Sequence, residues 1–105
     1  MVFEVTTGGH AKSAVKPSLF RITAGPGLYA KRMHWTRWGS RSATGTGNLY
    51  GVDDGTHFLG HATVHLYAVK SHHGTLYYSE LHLTHQQGSV PYYSWSWRFH
   101  SWEGR

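Results

Sequence analysis

An alternation of aromatic and polar residues near the C-terminus dominates the pattern of this sequence. A period of two over residues 93–100 is typical of a β-strand, because successive side chains of a strand point to opposite faces. We therefore predict a strand near residues 92–102, with the aromatic face in the core. Its two faces hold Tyr93, Trp95, Trp97 and Phe99 on one side, and Ser94, Ser96, Arg98 and His100 on the other.

Turn-forming residues recur along the rest of the chain, and the segments between them are rich in residues that favour strands. Short connections between consecutive strands imply antiparallel neighbours. We therefore predict an all-β fold, a single antiparallel meander of about six strands that closes into a small sandwich or barrel. The predicted strands lie near residues 18–24, 28–38, 42–52, 60–70, 75–85 and 92–102.

The composition supports one small β domain. A chain of 105 residues fits a single domain. With 13 glycines and 15% aromatic residues, it does not resemble a helical bundle. The absence of cysteine excludes a disulfide scaffold, a cysteine-based zinc site and a thiol nucleophile. We expect residues 1–16 to be a flexible N-terminal arm or edge strand and residues 17–105 to be the all-β domain.

The net charge favours anionic partners. Ten Lys and Arg against five Asp and Glu give +5 with neutral histidine, and ten histidines can add to that charge in acid. The N-terminal residues lack the basic and apolar regions of a signal peptide, and no apolar run reaches the ~18 residues of a membrane span. We expect no membrane span and a secreted or cell-surface protein whose leader is absent from this chain, with an intracellular location as the alternative.

Several segments between Lys16 and Thr84 carry a family resemblance. Lys16-Pro17 precedes Trp35-Thr36-Arg37-Trp38-Gly39, which runs into Ala43-Thr44-Gly45-Thr46-Gly47, and Tyr77-Tyr78-Ser79-Glu80-Leu81-His82-Leu83-Thr84 follows later. This arrangement resembles a family of small, mostly secreted or lipid-anchored actinobacterial proteins of unknown function. The resemblance implies a fold and a compartment, and it assigns no role to any residue.

The histidines form one candidate metal site. His57, His61 and His65 are four residues apart, and on a strand such neighbours lie about 13 Å from each other, too far to share an ion. A site would need partners across strands, for example His65 opposite His82. We expect no bound metal or cofactor, and keep a histidine-based metal binder as an alternative.

Signals for nucleotide binding and catalysis are weak. The glycines of residues 45–51 lack the spacing and the following helix of a dinucleotide loop. We expect them instead to allow close approach of a neighbouring strand or of the Trp35 and Trp38 rings. The chain has no Gly-x-Ser-x-Gly motif and few carboxylates, so we expect no enzymatic activity.

The aromatic residues outnumber those that so small a core can bury, and some should therefore face a ligand. Exposed rings beside basic side chains can stack on sugars or bases. We predict a non-enzymatic binding module for a polyanion or cell-surface glycan. The alternative is a structural subunit that self-associates or decorates a larger assembly. The candidate ligand-binding residues are Arg37, Trp38, Arg41, Tyr50, Tyr92, Arg98 and Trp102.

Overall fold

The computed structural model describes residues 2–7, 10–22, 27–52, 55–85 and 92–104. These residues form nine strands, which confirms the all-β prediction. Within them, no helix has the length and apolarity needed to cross a membrane. The strands are β1 (Phe3–Thr7), β2 (His10–Ala14), β3 (Leu19–Arg21), β4 (Leu28–Trp38), β5 (Ala43–Val52), β6 (Thr56–His72), β7 (Thr75–His85), β8 (Tyr92–Ser96) and β9 (Ser101–Gly104).

Strands β3 to β9 form one sheet in which every strand pairs with its neighbours in the sequence. All these pairs are antiparallel, so the predicted meander is confirmed. The sheet curls into a half-barrel, and a separate two-stranded sheet of β1 and β2 accompanies it.

The N-terminal hairpin β1–β2 bridges the two edges of the curled sheet. Strand β1 contacts the edge strands β3 and β9 and also β7. Phe3 is fully buried, with its ring centroid 4.7 Å from that of Phe20 and 5.5 Å from that of Trp102. Val2 pairs in parallel with Tyr77 on β7. The segment expected to be an arm or edge strand thus contributes two paired strands and a core side chain.

The prediction of a single strand near residues 92–102 is wrong. This segment forms two strands, β8 and β9, joined by a turn. The backbone N–H of Phe99 donates to Ser96 Oγ at 3.1 Å, and His100 has a φ of 51°, in the left-handed region. The chain therefore reverses after Ser96. Phe99 lies in the turn and is 62% exposed, so its predicted place in the core is wrong. Tyr93 and Trp95 are buried as predicted.

The glycines of β5 allow close packing against β4, as predicted. A Cβ on Gly45 would lie 2.6 Å from Cε3 of Trp35, and one on Gly47 would lie 2.6 Å from Sδ of Met33. Opposite Gly47, β4 carries a bulge at Arg32, whose φ is 54°. The missing side chains therefore make room for the Trp35 ring and for the bulged strand.

Candidate binding surface

The side of the sheet that faces away from the core carries most of the polar side chains, and we call it the outer face. The strand register aligns one row of side chains across the five strands β4 to β8, which we call the five-strand row. Side chains in such a row stand about 4.8 Å apart from strand to strand. The row reads Arg37, Thr44, His65, His82 and Tyr92.

A second group lies at the far end of the outer face, six residues along β5 from Thr44. Here Tyr29, Tyr50 and Phe58 are cross-strand neighbours on β4, β5 and β6. The Tyr50 and Phe58 rings are 5.4 Å apart, and Phe58 is 56% exposed. We call this group, together with Arg21 and Lys31, the aromatic–basic patch.

Two cations lie directly over rings of the aromatic–basic patch. Lys31 Nζ is 5.0 Å from the centroid of the Tyr50 ring. The Arg21 guanidinium lies 5.0 Å from the Tyr29 centroid, and its Nη2 also donates a hydrogen bond to the Tyr29 hydroxyl. Each contact restricts a long basic side chain, which costs conformational entropy. The attraction between the cation and the ring quadrupole offsets this cost. The patch thus presents apolar ring surface and positive charge side by side.

Three of the predicted ligand-binding residues lie on the outer face. Tyr50 belongs to the aromatic–basic patch, while Arg37 and Tyr92 are the two ends of the five-strand row. Tyr92 is 42% exposed and stacks on the His82 ring at 4.5 Å, with 7° between the planes. Arg37 and Tyr92 are four strand spacings apart, or about 19 Å.

Trp38 is the last residue of β4, next to Arg37, and Arg41 lies in the turn between β4 and β5. Arg41 is exposed, whereas Trp38 is only half-exposed and packs against the core. The Trp38 ring makes edge contacts with Trp35 at 4.9 Å and with Tyr78 at 5.5 Å. The end of β4 and the turn after it therefore present Arg37 and Arg41 to solvent, whereas much of the Trp38 ring packs against the core.

The last two predicted residues lie away from the outer-face groups. Arg98 is exposed in the β8–β9 turn, with its guanidinium 5.2 Å from the Phe99 ring centroid. Trp102 is only 2% exposed, and its indole N–H donates to the Glu4 carbonyl at 2.9 Å. The expectation that Trp102 is an exposed contact surface is therefore wrong, because its ring is part of the core.

His65 and His82 lie directly opposite each other on β6 and β7, so the predicted pairing of these strands is confirmed. His65 Nδ1 lies 3.1 Å from Thr44 Oγ1, and His82 Nε2 is buried without a hydrogen-bond partner. Among the described residues, no group of three or more His, Cys, Asp or Glu side chains could hold a metal ion. The histidine pair thus lacks a third protein ligand within those residues.

Sequence reasoning missed most of the aromatic–basic patch. Tyr29 and Lys31 are two residues apart, which places them on one face of any strand that contains both. This spacing in the sequence is therefore enough to predict that Tyr29 and Lys31 are neighbours on one face. The cross-strand neighbours Tyr50 and Phe58 depend on the β5–β6 register, which shifts between Leu49 and Tyr50.

Comparison of the chain with protein-family models, with curated proteins and with solved structures finds no match.

Proposed function

We propose that this protein is a non-enzymatic binding module whose outer face engages a polyanionic or carbohydrate partner at the cell surface. The observation that carries the proposal is the placement of Lys31 over the Tyr50 ring, beside the exposed Phe58. Flat rings stack on the apolar faces of sugars, and ammonium and guanidinium groups pair with phosphates or carboxylates. An anionic glycan presents both kinds of group.

The outer face also has the length that a polymer needs. From Tyr50 to Thr44, six residues along β5 span about 20 Å. Asn48 and Thr46 lie between them on the same face and can hydrogen-bond to hydroxyl groups. A chain of several sugar units would run from the aromatic–basic patch to the five-strand row that begins at Arg37 and ends at Tyr92.

Two further observations support this function. The net charge of +5 attracts polyanions at long range. The resemblance of the segment from Trp35 to Gly47 to mostly secreted actinobacterial proteins supports a secreted or surface location.

Co-sedimentation of the untagged protein with bacterial cell-wall material and with nucleic acid, in low and high salt, tests the proposal. Binding that high salt abolishes indicates that charge dominates, and binding to wall glycan that survives salt indicates stacking on the rings. We expect Phe58→Ala to weaken the salt-resistant part and Lys31→Gln the salt-sensitive part.

Lys70→Gln is a matched control for Lys31→Gln, because Lys70 is also exposed but lies toward the other end of β6 from Phe58. The control should bind as the unaltered protein does. Failure to bind either material, or equal binding by all the variants, would overturn the proposal.

A specific feature favours a structural subunit as the second candidate. In the sheet order, β3 is an edge strand, and Leu19 on it is 55% exposed. An edge strand of a sheet can pair with a strand of another copy. Light scattering over a concentration series distinguishes the two candidates, because a monomer at every concentration contradicts self-association through β3.

A further inference from the structure

A pocket of about 220 Å³ opens between the N-terminal hairpin, the β6–β7 turn and the segment that follows β8. Glu4 and Ser13 contribute from the hairpin, His72 from the end of β6, His73 from the β6–β7 turn, and Trp97 from the segment after β8. None of these residues belongs to the aromatic–basic patch or to the five-strand row. The pocket is therefore a separate feature of the molecule.

The Glu4 carboxyl group is the distinctive element of this pocket. Glu4 is only 3% exposed, and its Oε1 accepts a hydrogen bond of 2.7 Å from Ser13 Oγ. The described residues that line the pocket include no lysine or arginine. A buried carboxylate is costly unless a cation or several donors compensate its charge. Among the described residues, the structure shows a hydrogen bond to the Glu4 carboxyl group from Ser13, and the pocket beside this group has room for a positive group.

Aromatic rings form the wall beside this carboxyl group. The His72 and Trp97 rings stack in parallel, with centroids 3.7 Å apart and 10° between the planes. Edge contacts to Tyr77 at 5.3 Å and to Trp95 at 5.7 Å hold the Trp97 ring from other sides. The His73 and His72 rings form a T-shaped pair, with centroids 4.1 Å apart. These contacts give the wall a defined orientation before any ligand enters.

We propose that this pocket binds a guanidinium group, with Glu4 as its counter-ion and the Trp97–His72 stack as its aromatic wall. A guanidinium is planar, is weakly hydrated for a cation, pairs with a carboxylate through two parallel hydrogen bonds and packs against aromatic rings. The pocket combines those two recognition elements. This site is independent of the proposed function, because it lies elsewhere and selects the opposite charge.

Titration with N-methylguanidinium, monitored by NMR of the Trp97 indole and the His72 ring, tests the proposal at constant ionic strength. The neutral analogue N-methylurea has nearly the same shape and serves as the matched ligand. We expect saturable shifts with a Kd on the order of 1 mM for the cation. Binding of N-methylurea should be at least about tenfold weaker, because it lacks the charge that Glu4 recognises. Equal binding of the two ligands, or no saturable shift, would overturn the proposal.

Glu4→Gln keeps the shape of the side chain and should abolish the preference for the cation. Glu103→Gln is the matched control, since Glu103 is exposed and is not among the residues that line the pocket. If Glu4→Gln fails to fold, the comparison of the two ligands on the unaltered protein still decides the matter.

The guanidinium can belong to an arginine of a protein partner or to a free small molecule. N-acetyl-arginine-amide imitates the first source, and agmatine represents the second. Tighter binding of either one than of N-methylguanidinium supports the site and identifies its source. If Glu4→Gln leaves the binding of both N-acetyl-arginine-amide and agmatine unchanged, the role of Glu4 is contradicted.

Discussion

The indole N–H of Trp102 donates a hydrogen bond of 2.9 Å to the backbone carbonyl of Glu4, and so joins the last strand of the sheet to the first strand of the hairpin. The Trp102 ring also contacts Phe3 at 5.5 Å and Trp95 at 5.6 Å. This contact holds the N-terminal hairpin against the curled sheet. It also fixes the backbone from which the Glu4 carboxyl group enters the pocket.

Replacing Trp102 with phenylalanine should therefore destabilise the whole fold. The variant leaves the buried Glu4 carbonyl without its donor and opens a space beside Phe3. We expect the free energy of unfolding to fall by about 2–4 kcal/mol. Urea unfolding followed by circular dichroism measures the difference. Phe99→Ala removes a ring that is 62% exposed and should change stability by less than about 0.5 kcal/mol. Equal losses in the two variants would contradict the assigned role of Trp102.

The close approach of Trp35 to β5 gives a second prediction. Gly45→Ala would place a Cβ 2.6 Å from the Trp35 ring, so the ring or the strand must shift. We expect a loss of about 1–3 kcal/mol in the free energy of unfolding. In Gly104→Ala the nearest atom to the new Cβ lies 3.8 Å away, on Tyr93. That control should cost less than Gly45→Ala, and the reverse order would show that the β4–β5 packing is not as tight as described.

The sequence was sufficient to predict the fold class and the meander. Period-two patterns indicate which face of a strand is apolar, and turn residues indicate where strands begin and end. The antiparallel pairing of the strands that carry His65 and His82 was also predicted, and in the structure these two residues lie opposite each other. The pattern failed between residues 92 and 102, where a turn after Ser96 resets the alternation. Phe99, which shares the parity of Trp95, is exposed, while Trp102, of the opposite parity, is buried.

The candidate site was only partly predictable for a related reason. A strand pattern identifies which residues of one strand share a face, but the neighbours across strands depend on register and bulges. Tyr50 was identified, whereas its contact with Lys31 depends on the pairing of β4 with β5 near the bulge at Arg32. The pocket at Glu4 was not identified, since it arises where the hairpin, a turn and the segment after β8 meet.

The buried phenol of Tyr78 gives a prediction for alkaline conditions. Burial raises the pKa of Tyr78, and its hydroxyl donates a hydrogen bond to the Gly39 carbonyl. Because this pKa is higher in the folded state, the protonated phenol contributes to the stability of the fold. The contribution is fully present below the unfolded-state pKa of about 10, and it is lost as the pH rises through the folded-state pKa.

Tyr78→Phe should therefore cost about 1 kcal/mol at about pH 9, through the lost hydrogen bond. As the pH rises above 10, the unaltered protein should lose stability faster than the variant, and the difference should narrow. Urea unfolding at several alkaline pH values measures it. Burial also raises the pKa of Tyr93, which is present in both proteins and affects them alike. A difference that stays constant with pH would contradict the link to the Tyr78 phenol.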